Sequence, residues 1–176
     1  MEVRELVDPE GCKTSRADIL TQTERPGVWD QLVAAGVLSS TASYHPETGG
    51  LGDTTEVALL QLAWSYKLDL IELQARQPTL HEWTFDSQRK RMSILREAPD
   101  GDLCLYVKGA PESVLPRCAL SDARRTSLSK VLDELSSKGQ RILAIAHRQW
   151  PASALRDEKL VFQSADTIEE GLQFLG

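Results

Sequence analysis

Between Leu80 and Gly109 the chain holds three short runs, LHEWTFDS (80–87), RMSILRE (91–97) and DLCLYVKG (102–109), each rich in aromatic or aliphatic residues. Runs of that length and composition, bounded by turn residues, read as strands. PDGD (99–102) reads as the hairpin connection between the second and third. Side chains alternate across a strand, so Leu103, Leu105 and Val107 point one way and Cys104, Tyr106 and Lys108 the other. The middle of the chain is thereby committed to antiparallel pairing, with Lys108 leaving the sheet opposite the aliphatic residues.

Helical periods surround these runs. Residues 1–15 open with a short apolar alternation, followed by Pro9 and Gly11. From Ser15, SRADILTQTERPGVWDQLVAAGVLSS reads as helical, interrupted at Pro26, where a helix can restart because proline suits a first turn. Trp29, Leu32, Val33 and Gly36 fall on one face. YHPETGGLG (44–52) reads as a loop. Asp53 can then cap a helix whose stripe is Val57, Leu60, Trp64 and Leu68, widened by Leu59, Leu62 and Ala63 into a well-buried surface. PESVLPRC (111–118) reads as a helical turn started by Pro111. SDARRTSLSKVLDELSSKG (121–139) is amphipathic, with Leu128, Val131, Leu132 and Leu135 facing inward and Gly139 ending it. QRILAIAHRQW (140–150) reads as a strand, and the tail shows little pattern before LQFLG, a last strand. Helices grouped before and between antiparallel strands give an α+β class.

Charge and cysteine usage narrow the function. Lys and Arg total 20 against 26 Asp and Glu, a net charge of −6. An acidic chain is a poor partner for nucleic acid, which demands a basic surface, although one nucleotide needs only a few local cations. Cys12, Cys104 and Cys118 are scattered, as are His45, His81 and His147, so neither a zinc site nor a disulfide framework is expected. The first residues lack the apolar core of a signal peptide, and no apolar run reaches bilayer-spanning length. The stretch GGLGDT is not a phosphate-cradling GxxxxGK[ST] loop, and neither GxGxxG, GxSxG nor HExxH occurs.

Four clusters remain: GDTTEVALL (52–60), FDSQRKRMSI (85–94), YVKGAPESVL (106–115) and GQRILAIA (139–146). In this order and spacing the chain resembles the nucleotide-binding domain of P-type ATPases, the cation pumps that form an aspartyl phosphate. It is most similar to the subgroup of calcium and sodium/potassium pumps. The resemblance is firm over about residues 40 to 148, and KGAPE downstream of FxxxRKRMS is its most specific part. It implies a twisted antiparallel sheet flanked by helices, inserted into a phosphorylation domain. Residues 1–176 would form a single domain with a core of about 16–150, residues 1–15 and 151–176 lying near the hinge.

The resemblance also assigns residues. Phe85 matches the family's adenine-stacking phenylalanine, a role that suits an aromatic face; without the motif behind it, a core strand aromatic would be the simpler reading. Lys108 matches the lysine reaching into the nucleotide pocket, with Gly109 admitting a close backbone and Ala110 keeping the floor shallow. Glu56 matches the acceptor of the adenine amino hydrogen bond, yet Asp53 and Glu56 also have the spacing of a capping box, so capping alone stays open. Lys90 and Arg141 match the cations that meet the phosphates, Arg141 from the start of its strand. Met92 matches a pocket-edge methionine, with core filler as the competing reading. Arg89 and Arg91 are expected to be solvated or paired. Ser87 stands where many relatives carry arginine, which removes a phosphate or ribose contact but leaves a hydroxyl.

Missing motifs limit the expected role. The acceptor aspartate, the magnesium-binding motif and the dephosphorylation motif of the family are absent. No catalytic or metal-ligating residue is therefore assigned. The expectation is a soluble, monomeric fragment from the cytoplasmic face of a membrane pump. It binds ATP, with Mg2+ accompanying the nucleotide in the intact pump, without hydrolysing it significantly. Its partners would be the phosphorylation and actuator domains. It would hold the γ-phosphate toward an aspartate in the phosphorylation domain, and be an enzyme only as part of an ATP-driven cation translocase. The competing class is a non-catalytic interaction module with the same fold and a degraded pocket, for which Ser87 is the support.

Overall fold

The computed structural model describes residues 1–22, 27–154 and 163–176. In chain order the elements are β1 (Glu5–Val7), β2 (Lys13–Ser15), α1 (Arg16–Thr21), α2 (Gly27–Leu38), β3 (Ser43–His45), β4 (Gly49–Leu51), α3 (Thr54–Ser65) and α4 (Leu70–Arg76). There follow β5 (Thr79–Asp86), β6 (Arg91–Glu97), β7 (Leu103–Gly109), α5 (Pro111–Val114) with a 3-10 turn (Leu115–Arg117), α6 (Asp122–Ser137) and β8 (Ala144–Trp150). The short α7 (Ala165–Ile168) and β9 (Gln173–Phe174) complete the described chain. Pro26, the expected point of helix restart, lies outside the described residues.

The α+β class holds. The main sheet has five strands in the order β5-β6-β7-β8-β9, every neighbour antiparallel. The turn after β6 closes as read from sequence: Gly101 sits at φ 86°, where a residue without a Cβ is unstrained, and Ala98 N–H donates to the Asp102 carbonyl at 2.7 Å. LQFLG does join the sheet. Leu175 N–H donates to the Ile145 carbonyl at 2.9 Å, and Ile145 N–H donates to Gly176 at 2.8 Å.

Cross-strand partners share a face, and the register separates two cores. On one face Tyr106 and Ile145 pack with Trp29, Val33, Leu60 and Ala63 of α2 and α3. On the other, Leu95, Leu105 and Val107 pack with Leu128 of α6 and with Ile168 and Leu172 near the C-terminus. The alternation read in DLCLYVKG is therefore correct, but both faces are covered, so the sheet is a central layer with helices on each side.

Several expectations need correction. Residues 44–52 are not a plain loop, because β3 and β4 form a hairpin with Ser43 opposite Leu51. Trp64 leaves the buried stripe of α3 and is exposed, while Ala58 and Leu62 are buried, because α3 packs on α2 through a rotated face. Val131 and Leu132 of α6 are only half-buried: they border a cavity of about 410 Å3 between α6, α2, α3 and the first residues of the chain. Strand β8 begins at Ala144, so Arg141 precedes the strand rather than opening it.

Gly109 is required by β6. A Cβ there would stand 2.4 Å from Cβ of Arg91 and 2.5 Å from the Lys90 carbonyl oxygen. Both contacts involve backbone or near-backbone atoms that cannot swing away. Gly109→Ala is expected to destabilise the chain by about 2–3 kcal/mol through overpacking, read as a lower urea midpoint with an unchanged slope.

Candidate functional site

An antiparallel sheet brings alternate strand ends to one edge. The end of β5, the start of β6 and the end of β7 meet there, and Gly109 pairs with Ala144 at the start of β8. Phe85, Ser87, Lys90, Met92, Lys108, Gly109, Ala110 and Arg141 all lie at or beside that edge. The helix α3 adds Glu56 from its first turn. Residues spread over more than eighty positions of sequence thus belong to one end of the sheet.

The centre of this edge is a buried ion pair. Lys108 is 5% exposed, and its Nζ donates to Glu56 Oε1 at 2.8 Å, to the Ser39 carbonyl at 2.6 Å and to Ser40 Oγ at 2.8 Å. An ammonium has three donors, so all three are used within the protein. Glu56 Oε2 accepts from the Ala42 amide at 2.7 Å, the Thr41 amide at 2.8 Å and Thr41 Oγ1 at 3.2 Å. Burial pulls the Glu56 carboxyl upward, but the Lys108 charge, its hydrogen bond and the two amides overcome this and hold the carboxyl below its ordinary value. Burial also lowers the Lys108 ammonium, with Glu56, Asp53 and Glu82 opposing it.

The capping question resolves by division of labour. Asp53 Oδ1 accepts from the amides of Thr55 at 2.8 Å and Glu56 at 3.2 Å, and so caps α3. Glu56 does not close a box back onto Asp53. It reaches instead to the segment after α2. Sequence reasoning missed that segment: Ser39, Ser40, Thr41 and Ala42 supply most of the polar shell around the pair. Their only sequence signal is a cluster of small polar residues directly after an apolar helix.

The rim is open. Phe85 is 62% exposed at the end of β5. An aromatic ring left in water at a strand end is not a core residue, so burial does not account for it. Lys90 occupies the left-handed region at φ 53°, and its Nζ lies 3.0 Å from Glu112 Oε1 on the exposed surface. Ala110 N–H donates to the Lys90 carbonyl at 2.9 Å, tying the two motif segments together. Met92 stands directly across from Lys108 and is buried. Ser87 is exposed in the turn, and Arg141 is exposed; burial pulls the Asp53 carboxyl upward, but the hydrogen bonds from Thr55 and Glu56, with a smaller contribution from the Arg141 charge, hold it below its ordinary value. The cavity of about 410 Å3 lies apart from Lys108 and is reached by Arg141 alone among these residues.

Arg89 and Arg91 are paired, as expected for the neighbours of Lys90. Both reach Glu169 on the opposite face of the sheet, at 2.8 Å and 2.6 Å. No pattern in the tail sequence announced Glu169.

Breaking the buried pair from one side leaves an uncompensated charge. Lys108→Met is expected to cost about 3–5 kcal/mol at neutral pH, and adding Glu56→Gln to recover much of it. The Glu56 carboxyl has a folded value below 4.5, so its contribution is complete above that pH and is lost as pH falls through the folded value. Urea midpoints at pH 7 and pH 4 should therefore converge more in Glu56→Gln than in the wild type.

The sequence profile of the family described as P-type ATPase, cytoplasmic domain N, matches residues 28–176. A probable cation-transporting P-type ATPase of Mycoplasma genitalium is 32% identical over 145 residues, covering 82% of this chain and 16% of the relative. A calcium-transporting ATPase of Lactococcus lactis is 32% identical over 151 residues, covering 80% and 17%. A sodium/potassium-transporting ATPase subunit alpha of Hydra vulgaris is 26% identical over 170 residues, covering 84% and 16%. The chain spans about a sixth of the length of these relatives. Among the described residues no helix is long and apolar enough to cross a membrane. With the motif edge, the fold and the sequence match in agreement, this chain belongs to the cytoplasmic N-domain family of P-type ATPases.

Proposed function

We propose that the chain binds ATP at the edge formed by Phe85, Lys90, Lys108 and Glu56, and that within a complete pump it presents the γ-phosphate to an aspartate of a separate phosphorylation domain. The observation that carries the reading is the 62% exposure of Phe85 at the same sheet edge as the buried Lys108–Glu56 pair. A solvent-facing ring offers a stacking surface for a purine. The pair behind it holds a fixed carboxylate whose four donors leave no spare lone pair, so an exocyclic amino group reaches it by replacing the Thr41 hydroxyl, the longest of these contacts at 3.2 Å. In this arrangement Lys108 acts by holding Glu56 ionised and oriented, while Lys90 and Arg141, both exposed, are the cations available to phosphate.

In this reading Mg2+ comes with the triphosphate as its counter-ion. The chain contributes binding and orientation, and the positioning of the terminal phosphate lowers the barrier for a reaction completed elsewhere. Closure of this domain onto its neighbour would gate that transfer.

Phe85→Ala tests the reading without touching the core. Stacking of a base on an aromatic side chain is worth about 1–3 kcal/mol, so ATP affinity should fall by roughly 5- to 150-fold with the NMR spectrum otherwise preserved. Wild-type resonances of Phe85, Lys90 and Glu56 should shift saturably with ATP. A well-dispersed spectrum that stays unchanged at millimolar ATP would sink the binding claim and leave an interaction module.

A further inference from the structure

The turn that carries Phe85 and Lys90 is held from behind by the C-terminal segment. Glu169, directly after α7, is 0% exposed. Its Oε1 accepts from Arg89 Nη1 at 2.8 Å and from Ser93 Oγ at 2.8 Å, and its Oε2 accepts from Arg91 Nε at 2.6 Å. The second arm of Arg89, Nη2, donates to the Thr84 carbonyl at 2.9 Å, the peptide group joined to Phe85. Arg91 Nη1 donates to the Arg89 carbonyl at 3.1 Å, next to Lys90. The two guanidinium groups thus grip the backbone just before Phe85 and just before Lys90 while both rest on one carboxylate from the far end of the chain.

A fully buried carboxylate with two cationic partners fixes geometry tightly, because a planar guanidinium binds along defined directions. Arg89 is the narrow link. It alone joins Glu169 to the carbonyl before Phe85, whereas Arg91 also reaches Asp166 at 2.7 Å and Ser93 is seated in β6. We propose that Glu169 and Arg89 are positioning residues for the nucleotide: they set the conformation of the 85–90 turn, and through it ATP affinity, without touching ATP. The proposal rests on the ATP-binding reading above. It gives the tail residues 163–176 a part in the site at the other face of the sheet.

The test compares Arg89→Gln with Arg117→Gln. Arg89→Gln removes the link from Glu169 to the Thr84 carbonyl while Glu169 keeps Arg91 and Ser93 as partners, so the fold survives. Arg117 belongs to the same charged network, at 2.8 Å from both Asp166 and Glu170, but does not contact the turn. ATP dissociation constants are measured by NMR titration of the whole chain, together with backbone order parameters of residues 84–91 in the ligand-free state. Arg89→Gln is expected to weaken ATP binding at least fivefold and to loosen residues 85–90, while Arg117→Gln leaves both near wild type. Equal ATP affinity in Arg89→Gln and wild type overturns the proposal, as does equal weakening in both variants, which would mark a general loss of stability. The ligand-free spectra decide separately. If the wild type fails to bind ATP, the functional reading fails by itself, and unchanged 85–90 order parameters in Arg89→Gln overturn the clamp whatever ATP does.

Discussion

The buried charge of Lys108 is the constraint around which the sheet edge is assembled. An ammonium removed from water costs several kcal/mol unless its donors and its charge are both met. Here the partners come from two elements distant in sequence: the Ser39 carbonyl and Ser40 hydroxyl after α2, and the Glu56 carboxylate in the first turn of α3. The last carbonyls of a helix have no partners of their own. At α2 the sheet supplies them, because Lys108 takes Ser39 and Arg96 Nε takes Leu38 at 2.7 Å. Two cations from adjacent strands therefore sit at the negative end of one helix, where its dipole favours positive charge. Glu56 in turn collects the free amides of Thr41 and Ala42. Helix, connection and strand become mutually dependent through one pair of charges.

The same device appears in mirror form on the other face. Arg91 and Glu169 are both buried, and Ser93 donates to the same carboxylate. Strand β6 thus lies between a buried ion pair on each side: Met92 faces Lys108, and its two neighbours Arg91 and Ser93 face Glu169. A wholly apolar sheet would pack as stably, since buried ion pairs often only break even against hydrophobic replacements. What the charges add is direction. Each pair fixes the angle of approach of a segment distant in sequence, residues 39–42 on one side and, on the other, the tail that Ile168 and Leu172 also anchor in the core.

Much of the fold was legible because its signals are local. The alternation of Leu103 to Lys108 fixed the two faces of β7, the Asp53 cap marked the start of α3, and Gly101 marked the turn between β6 and β7. Trp64 misled because helical spacing gives a stripe but not which flank of it meets the neighbouring helix. The placing of the candidate residues was legible in outline, since they do gather at one edge. Its chemistry was not. Lys108 reads in sequence as a charge offered to a ligand, and only the partners Ser39, Ser40 and Glu56 show that its donors are already engaged. Glu169 was invisible for a similar reason. One acidic residue among several in a tail without periodicity has no local mark of burial, because its partners lie some eighty residues earlier.

The three consecutive cations show how local geometry sorts like residues into different roles. In an extended chain Arg89 and Arg91 would share a side and Lys90 would oppose them. The turn tightens this. Asp86 accepts from the amides of Gln88 and Arg89, and its own carbonyl accepts from Lys90 at 2.6 Å, so the chain bends back before β6 begins. Lys90 takes the positive φ that this return demands, a conformation that costs a non-glycine residue of order 1 kcal/mol. Its carbonyl is then free to accept from Ala110, and its side chain is left in water beside Glu112 while both arginines are committed to Glu169. A flexible, strongly hydrated lysine can exchange an exposed carboxylate for a phosphate at little cost, since surface pairs are worth 1 kcal/mol or less. The two arginines, both paired with the buried Glu169, cannot. The positive φ at Lys90 thus leaves one cation of the three exposed at the rim and the other two to hold the turn in place.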